Sequence, residues 1–228
     1  AQALDIALTK RGKHLGEDIP MCGVPVHSSE GYLLRLIRRG FRVAVCEQLE
    51  DPKEAKKRGS KSVVKRGVVR LVTPGTLTED SLLNPRKSNF FAAFSSVRNK
   101  SCLAWVDIST GVVCYRSCLP TQLGPELARL APAEILVSEA ADVNIHEIIF
   151  ESGAASTKLP HISFDSEAGL KNLIKVYGDE KVSILNVLGR SDTAALGVLI
   201  EYLDTTQKEQ IPLLQLPDGE AQGDFVSI

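Results

Sequence analysis

The chain has 228 residues, of which 43% are hydrophobic and 24% charged, and its formal net charge is −1. This balance is typical of a folded globular protein and excludes low-complexity, fibrous and disordered classes for most of the chain. Two domains of modest size fit this length. No apolar run approaches the roughly 18 residues of a membrane span and the N-terminus lacks a signal-peptide pattern, so we expect a cytoplasmic protein without a membrane partner.

The two parts of the chain differ in charge. Residues 1–70 contain 15 Lys and Arg against 8 Asp and Glu (+7), whereas residues 71–228 contain 12 against 20 (−8). A basic cluster of this kind is expected where a polyanion binds, although a solvated loop is the alternative explanation. The cluster consists of Lys53, Lys56, Lys57, Arg58, Lys61, Lys65, Arg66 and Arg70.

The cysteines are five in number and lack the paired spacing of a zinc site. An odd, scattered set in a cytoplasmic protein predicts reduced thiols that fill core positions and bind no metal ion. The five residues are Cys22, Cys46, Cys102, Cys114 and Cys118.

Strand and helix patterns alternate in the first 76 residues. Period-two hydrophobicity predicts a half-buried strand at residues 4–8, and an apolar stripe predicts a helix that Ser28 caps and Gly40 ends. Residues rich in β-branched side chains predict further strands on both sides of a basic stretch. In chain order the prediction is strand 4–8, turn 9–12, the helix, strand 42–48, basic stretch 51–62, strand 65–72 and turn 73–76.

The second part of the chain begins with three strand patterns joined by short turns, which predict an antiparallel meander. Helix and strand patterns then alternate. The predicted elements are strands 89–96, 101–107 and 112–117, helix 121–130, strand 134–138, helix 142–150, strand 158–164, and helices 166–177 and 192–204. We therefore predict an α/β protein with a first domain at residues 1–76, a linker at 77–88, a second domain at 89–206 and an exit segment at 207–228.

The first domain contains a string of five short motifs. They are Thr-Lys-Arg-Gly (9–12), Pro-Met-Cys-Gly-Val-Pro-Val-His (20–27), Cys-Glu-Gln (46–48), Asp-Pro (51–52) and Val-Arg-Leu-Val-Thr-Pro-Gly-Thr (69–76). In order and spacing this string resembles the mismatch-recognition domain of the MutS family of DNA repair proteins. Less specific motifs at residues 103–111 and 132–136 resemble the connector domain of the same family, which has a ribonuclease H-like fold.

The resemblance implies that the first domain contacts double-stranded DNA that carries mispairs or small loops. By analogy with the family, the residues along the DNA would be Arg11, Met21, Gly23, Val24, Pro25, His27 and Arg70. Positive charge adds Lys10, Lys61 and Lys65 as DNA-binding candidates, and its place at the helix entrance adds Ser28. The family's Phe-x-Glu element, which stacks on the mispaired base, lies upstream of the strand equivalent to residues 4–11. We therefore expect an N-terminally truncated recognition domain that binds DNA weakly and discriminates little between matched and mismatched duplex.

The resemblance also implies a coupling role for the second domain. In the family this domain presents a surface to the partner protein MutL, and the matching positions here are Lys171 and Asn172; an ordinary solvated helix face is the alternative. The family protein is a homodimer, and its ATP and Mg²⁺ bind in a C-terminal domain. We expect the present residues to carry no cofactor and no catalytic site, and to act in DNA mismatch repair.

A metal-dependent nuclease is the alternative function, because ribonuclease H-like nucleases gather carboxylates around two divalent ions. The candidate acids are Asp107, Glu139, Asp142 and Asp165. Asp107 precedes Ile-Ser-Thr-Gly, so an Asp that initiates a turn is the simpler explanation for it.

Overall fold

A computed structural model of the chain describes residues 1–59, 62–77, 88–185, 188–207 and 213–220. Among these residues, no helix is both long and apolar enough to cross a lipid bilayer. The predicted α/β fold with two domains is confirmed.

The first domain consists of a hairpin, two helices and a pair of antiparallel strands, with a small core. Ile37 and Val72 are buried between the first helix and the strand pair, and Leu33, Val43 and Val45 pack around them. In chain order its elements are β1 (Thr9–His14), β2 (Glu17–Met21), α1 (Ser29–Arg38), β3 (Val43–Gln48), α2 (Pro52–Lys57) and β4 (Arg66–Val72).

The predicted strand at residues 4–8 is wrong. Residues 2–4 form a 3₁₀ turn, residues 6–8 are irregular, and the predicted turn at residues 9–12 lies inside β1. Leu15 and Gly16 both adopt positive φ, +52° and +88°, which closes a tight hairpin whose twist matches that of its strands. Within the described residues, residues 4–8 meet no strand with which they could pair.

The helix predicted between Ser28 and Gly40 is confirmed as α1, and Gly40 follows it with the expected positive φ of +80°. Ser28 occupies the N-cap position, but its side chain makes no capping hydrogen bond. The prediction missed α2 in the basic stretch. Asp51 caps this helix by accepting a hydrogen bond from the backbone N–H of Lys53 at 2.8 Å, and Pro52 occupies its first position.

The second domain is built on a six-stranded sheet with helices on both faces. Its elements are β5 (Phe90–Val97), β6 (Lys100–Asp107), β7 (Val112–Ser117), α3 (Leu123–Leu130), β8 (Glu134–Ser138), α4 (Val143–Glu151), β9 (Ala155–Leu159), α5 (Ser166–Tyr177), α6 (Asp179–Ile184), α7 (Arg190–Gln207) and β10 (Asp218–Gly219). The strand order is β10-β7-β6-β5-β8-β9. The first three strands are antiparallel to one another, and β8 and β9 run parallel to β5, which is the predicted ribonuclease H-like topology.

The central strands are apolar on both sides because helices cover both faces of the sheet. Phe91 and Ala93 of β5 face a core that includes α5 and α7, whereas Ala92 and Phe94 face a second core that includes α3 and α4. The predicted strand 158–164 is only partly correct, since β9 ends at Leu159 and a 3₁₀ turn follows Pro160.

The segment at residues 213–220, predicted as part of an exit from the domain, instead lies along the outer edge of β7. Asp218 and Gly219 pair with Cys114 and Tyr115 in a parallel register. The Glu220 carboxylate contacts Arg116 at 3.0 Å and Arg129 at 3.1 Å, and both arginines also contact Glu126. Four charged side chains therefore hold this segment on the sheet.

Only some of the five cysteines fill core positions. Cys102 and Cys118 are buried, and burial raises the pKa of both thiols, that of Cys118 to about 12. Cys114 is half-buried. Cys22 and Cys46 are exposed because the first domain has little core to receive them, so the prediction is wrong for these two.

The close approach of α5 and α7 supplies a test of the packing of the second domain. A Cβ atom added to Gly197 in α7 would lie 2.1 Å from Cα of Gly169 in α5. Gly197→Ala should therefore lower the free energy of unfolding by about 1–3 kcal/mol, measured by urea unfolding with Trp105 fluorescence. Gly124→Ala is the control, because its Cβ would meet only Ile148 at 3.7 Å. Equal urea midpoints for the two variants would contradict the packing described here.

Candidate nucleic-acid interface

The β1–β2 hairpin presents cations on a fully exposed ribbon. Every residue of both strands is exposed, and Thr9 donates a hydrogen bond to the carbonyl of Met21 at 2.8 Å. Lys10 forms an ion pair with Asp18 at 2.9 Å, whereas Arg11 is exposed on the same strand. The hairpin therefore places three of the predicted DNA-binding residues, Lys10, Arg11 and Met21, on one projecting element.

The loop after the hairpin leads into the N-terminus of α1. A Cβ atom added to Gly23 would have no neighbour within 4 Å, and its φ is not positive, so the fold itself does not require glycine there. Pro25 and His27 are exposed, and Ser28 stands at the start of α1. A 3₁₀ turn at Val26–Ser28 leads into α1, and in it the N–H groups of Ser28 and Ser29 bond to the carbonyls of Pro25 and Val26. The open backbone around Gly23 can approach a phosphate closely.

Val24 and Arg70 are brought together in a groove of about 620 Å³ between α1 and the β3–β4 pair. The floor of the groove is apolar and includes Leu33, Leu36 and Val43. Arg70 is half-buried in β4, and its side chain lines this groove. Arg70 is therefore less exposed than the cations of the hairpin.

The basic stretch is partly neutralised by acids. Arg58 contacts Glu50 through two nitrogens at 2.6 and 2.7 Å, and Lys57 contacts Glu54 at 2.6 Å. The Arg58 hydrogen bonds, followed by one from the backbone N–H of Lys65, lower the pKa of the Glu50 carboxyl to about 2. The side chain of Lys65 is exposed, and Lys61 lies outside the described residues.

The two predicted partner-binding residues of α5 do not share one exposed face. Lys171 is exposed. Asn172 is half-buried and donates a hydrogen bond to the carbonyl of Gly197 in α7 at 3.5 Å. Of this pair, Lys171 is the side chain that a partner could reach without a rearrangement.

Two of the four acids considered for a nuclease, Asp107 and Asp165, have structural roles in the fold. The Asp107 carboxylate accepts hydrogen bonds from the backbone and hydroxyl of Ser109, at 3.0 and 2.6 Å, which confirms the predicted turn. Asp165 caps α5 with its carboxylate. Asp142 stands at the N-cap position of α4 without a side-chain capping hydrogen bond, and Glu139 is exposed. In the described part of the chain, no three His, Cys, Asp or Glu side chains are arranged to hold a metal ion.

A buried acid at the contact between the domains was missed by the sequence analysis. The Glu134 side chain, at the first position of β8, is fully buried and accepts a hydrogen bond from the backbone N–H of Gly75. Gly75 belongs to the Thr-Pro-Gly-Thr motif that ends the first domain. An acid that opens the otherwise apolar strand Glu-Ile-Leu-Val was the available indication of this role.

Sequence comparisons identify both domains. Residues 1–81 match the family model described as MutS domain I, and residues 89–215 match that described as MutS domain II. Relatives named DNA mismatch repair protein MutS include those of Paracoccus denitrificans, 58% identical over the whole chain, and Dinoroseobacter shibae, 58% identical over 96% of it. The relative from Ruegeria pomeroyi is 56% identical over the whole chain. The chain spans about a quarter of the length of these relatives, 25–26%.

The Glu50–Arg58 pair gives a test of charge neutralisation in the basic stretch. Arg58→Gln should raise the pKa of Glu50 from about 2 towards the ordinary value of about 4.3. A carboxyl with a lowered pKa contributes stability above its unfolded-state pKa and loses it as the pH falls through its folded-state pKa. The stability of the unmodified protein should therefore fall more steeply between about pH 4 and pH 2 than that of the variant.

The pKa itself is measured from the carboxyl carbon shift of Glu50 in an NMR titration. Lys57→Gln is the matched control, since Lys57 contacts Glu54 and should leave the pKa of Glu50 where it is. An unchanged Glu50 pKa in Arg58→Gln would show that the Arg58 contact is absent in solution.

Proposed function

Because the chain belongs to the MutS family, we propose that it binds double-stranded DNA through its first domain and serves DNA mismatch repair. The matches to MutS domains I and II over most of the chain carry this proposal. The exposed cations of the hairpin and the open loop before α1 support it, since both can contact phosphates. The nuclease alternative receives no support from either comparison.

The contacts offered by the first domain are of the kind that position a protein on DNA. Cations and an open backbone loop contact the phosphate backbone, which is the same in matched and mismatched duplex. Discrimination requires base contacts or an inserted side chain that exploits an easily kinked step. Binding by this chain should therefore be sensitive to salt and differ little between duplexes with and without a mispair.

The second domain couples DNA recognition to the rest of the protein in this proposal. Its partners would be MutL, contacted through the exposed face of α5, and the other parts of a homodimeric full-length protein. ATP and Mg²⁺ binding would belong to the C-terminal domain of the family, and the present residues would be non-catalytic. The acidic balance of residues 71–228, 12 cations against 20 acids, favours a protein partner over direct DNA contact.

Fluorescence anisotropy with labelled duplexes tests DNA binding. Arg11→Ala and Lys65→Ala should each weaken binding and reduce the slope of log K against log salt by about one, because each removes one phosphate contact. Lys181→Ala, in the exposed part of α6, is the control and should bind like the unmodified chain. The preference for a G·T duplex should stay below about tenfold, since phosphate contacts do not read the bases. A slope that both substitutions leave unchanged would exclude these residues from the interface.

Capture of the cognate MutL on the immobilised chain tests the partner surface. Lys171→Glu should reduce capture, because it reverses a charge on the exposed face of α5. Lys181→Glu makes the same change on α6 and should have no effect. Equal capture by both variants and the unmodified chain would remove α5 from consideration.

A further inference from the structure

The contact between the two domains is organised around one buried carboxyl group. Both oxygens of Glu134 accept hydrogen bonds, Oε2 from the backbone N–H of Gly75 at 3.0 Å and Oε1 from Thr157 at 2.5 Å and Tyr202 at 3.1 Å. Gly75 lies at the end of the first domain, whereas Thr157 and Tyr202 lie on β9 and α7 of the second. We call this set, together with Arg42, the interdomain junction.

Arg42 adds a second link from the first domain. Its Nη2 donates a hydrogen bond to Oγ1 of Thr157 at 3.0 Å, and Thr157 in turn donates to Glu134. Arg42 immediately precedes β3, so this chain of hydrogen bonds connects the strand pair of the first domain to the sheet of the second. Arg42 thus links the first domain to the second at a point separate from Gly75.

The contact at Gly75 is also fixed by shape. A Cβ atom on Gly75 would lie 2.7 Å from Cδ2 of Phe91 and 2.8 Å from Cβ of Glu134, so glycine is needed for this approach. The surrounding turn is rigid because the hydroxyl of Thr76 accepts a hydrogen bond from the backbone N–H of Thr73 at 3.0 Å. The amide of Gln207, at the end of α7, donates to the carbonyl of Thr76 at 3.2 Å.

Burial of a carboxyl group at this position costs desolvation free energy. The side chain is fully buried, and its three donors are all uncharged. Apolar side chains in place of buried charged groups often leave stability unchanged or raise it. An apolar side chain has no acceptor oxygens. The two carboxylate oxygens of Glu134 accept hydrogen bonds from donors in both domains and so fix how the domains are arranged.

Tyr202 extends the junction into α7. Burial, followed by the negative charge of Glu134, raises the pKa of Tyr202 to about 12, so its hydroxyl stays protonated and donates at neutral pH. Its ring also packs against Phe91, with ring centroids 5.3 Å apart. Any displacement of the first domain at Gly75 would therefore also displace α7, through Glu134 and Tyr202.

We infer that Glu134 is a positioning residue that holds the DNA-binding domain in a single orientation on the connector domain. Loss of its acceptor geometry should leave each domain folded and free their relative orientation. The functional meaning of this orientation rests on the proposed function, but the orientation itself can be measured without DNA.

The test measures the distance between spin labels at Lys56→Cys on α2 and Glu147→Cys on α4, both exposed positions. Cys22, Cys46 and Cys114 are first changed to serine, since these thiols are exposed or half-buried. The parent chain should give one narrow distance distribution by pulsed electron spin resonance. Glu134→Gln, which replaces one acceptor oxygen with a donor, should lose this single maximum and give a broad distribution.

Tyr202→Phe is the matched control. It removes a hydrogen bond to the same carboxyl group but breaks no link between the domains, so it should keep the narrow distribution. If Glu134 only stabilised the second domain, both variants would lower the unfolding temperature and both would keep one distance. A narrow distribution with the parent maximum in Glu134→Gln would overturn the inference.

If Glu134→Gln fails to fold, Gly75→Ala and Arg42→Gln test whether the junction fixes the orientation of the two domains. Gly75→Ala pushes the first domain off Glu134, and Arg42→Gln removes the second link from an exposed position. Gly75→Ala should broaden the distribution as Glu134→Gln does, and Arg42→Gln should broaden it less. Narrow distributions in both would overturn the inference, and none of these outcomes depends on whether the chain binds DNA.

Discussion

A carboxyl group buried in a protein must receive hydrogen bonds, and at Glu134 the donors come from both domains. This requirement determines how the Thr-Pro-Gly-Thr turn packs on the sheet and where α7 places Tyr202. It also explains why position 75 needs glycine, since a Cβ atom there would overlap Glu134. The first domain has only a small core of its own, centred on Ile37 and Val72. The position of the first domain therefore depends more on its contacts with the second domain than on the packing within the first domain.

The two domains differ in how much of their surface is buried and in their charge. The second domain buries both faces of its sheet, and its surface charge is predominantly acidic. The first exposes most of its hairpin, its loop and its cations. Exposed, positively charged elements can contact the phosphate backbone of a polyanion. A rigid sheet can pass a displacement of one domain on to its neighbours. The division of charge visible in the sequence therefore follows the division of the chain into domains.

Much of the second domain could be predicted from its sequence, and less of the first. Strands such as β7 and β8 and helix α5 have the predicted bounds, because burial of regular elements leaves a periodic pattern. Residues 4–8 show the same alternation without forming a strand, since period-two hydrophobicity specifies a face but cannot supply a pairing partner. The helix α2 was missed although Asp51 and Pro52 are a typical helix start, because the lysines around them suggested a loop.

The candidate site was predictable as a set of residues and not as an arrangement. Motif resemblance selected Lys10, Arg11 and Arg70, but spacing does not show that the first two lie on an exposed ribbon and the third in an apolar groove. Ion pairs such as Glu50–Arg58 join residues eight apart across a helix and a turn, which no local pattern reveals. The role of Glu134 depends on residues 59 and 68 positions away and was invisible for the same reason.

The segment at residues 213–220 has a consequence for solubility. An outer strand with free N–H and C=O groups is a template for pairing with another molecule, and β7 would present such an edge if it were uncovered. The short β10 occupies part of that edge, and the cluster of Arg116, Arg129, Glu126 and Glu220 holds it there. The segment thus acts as a cover that keeps the sheet from continuing into a neighbouring copy of the protein.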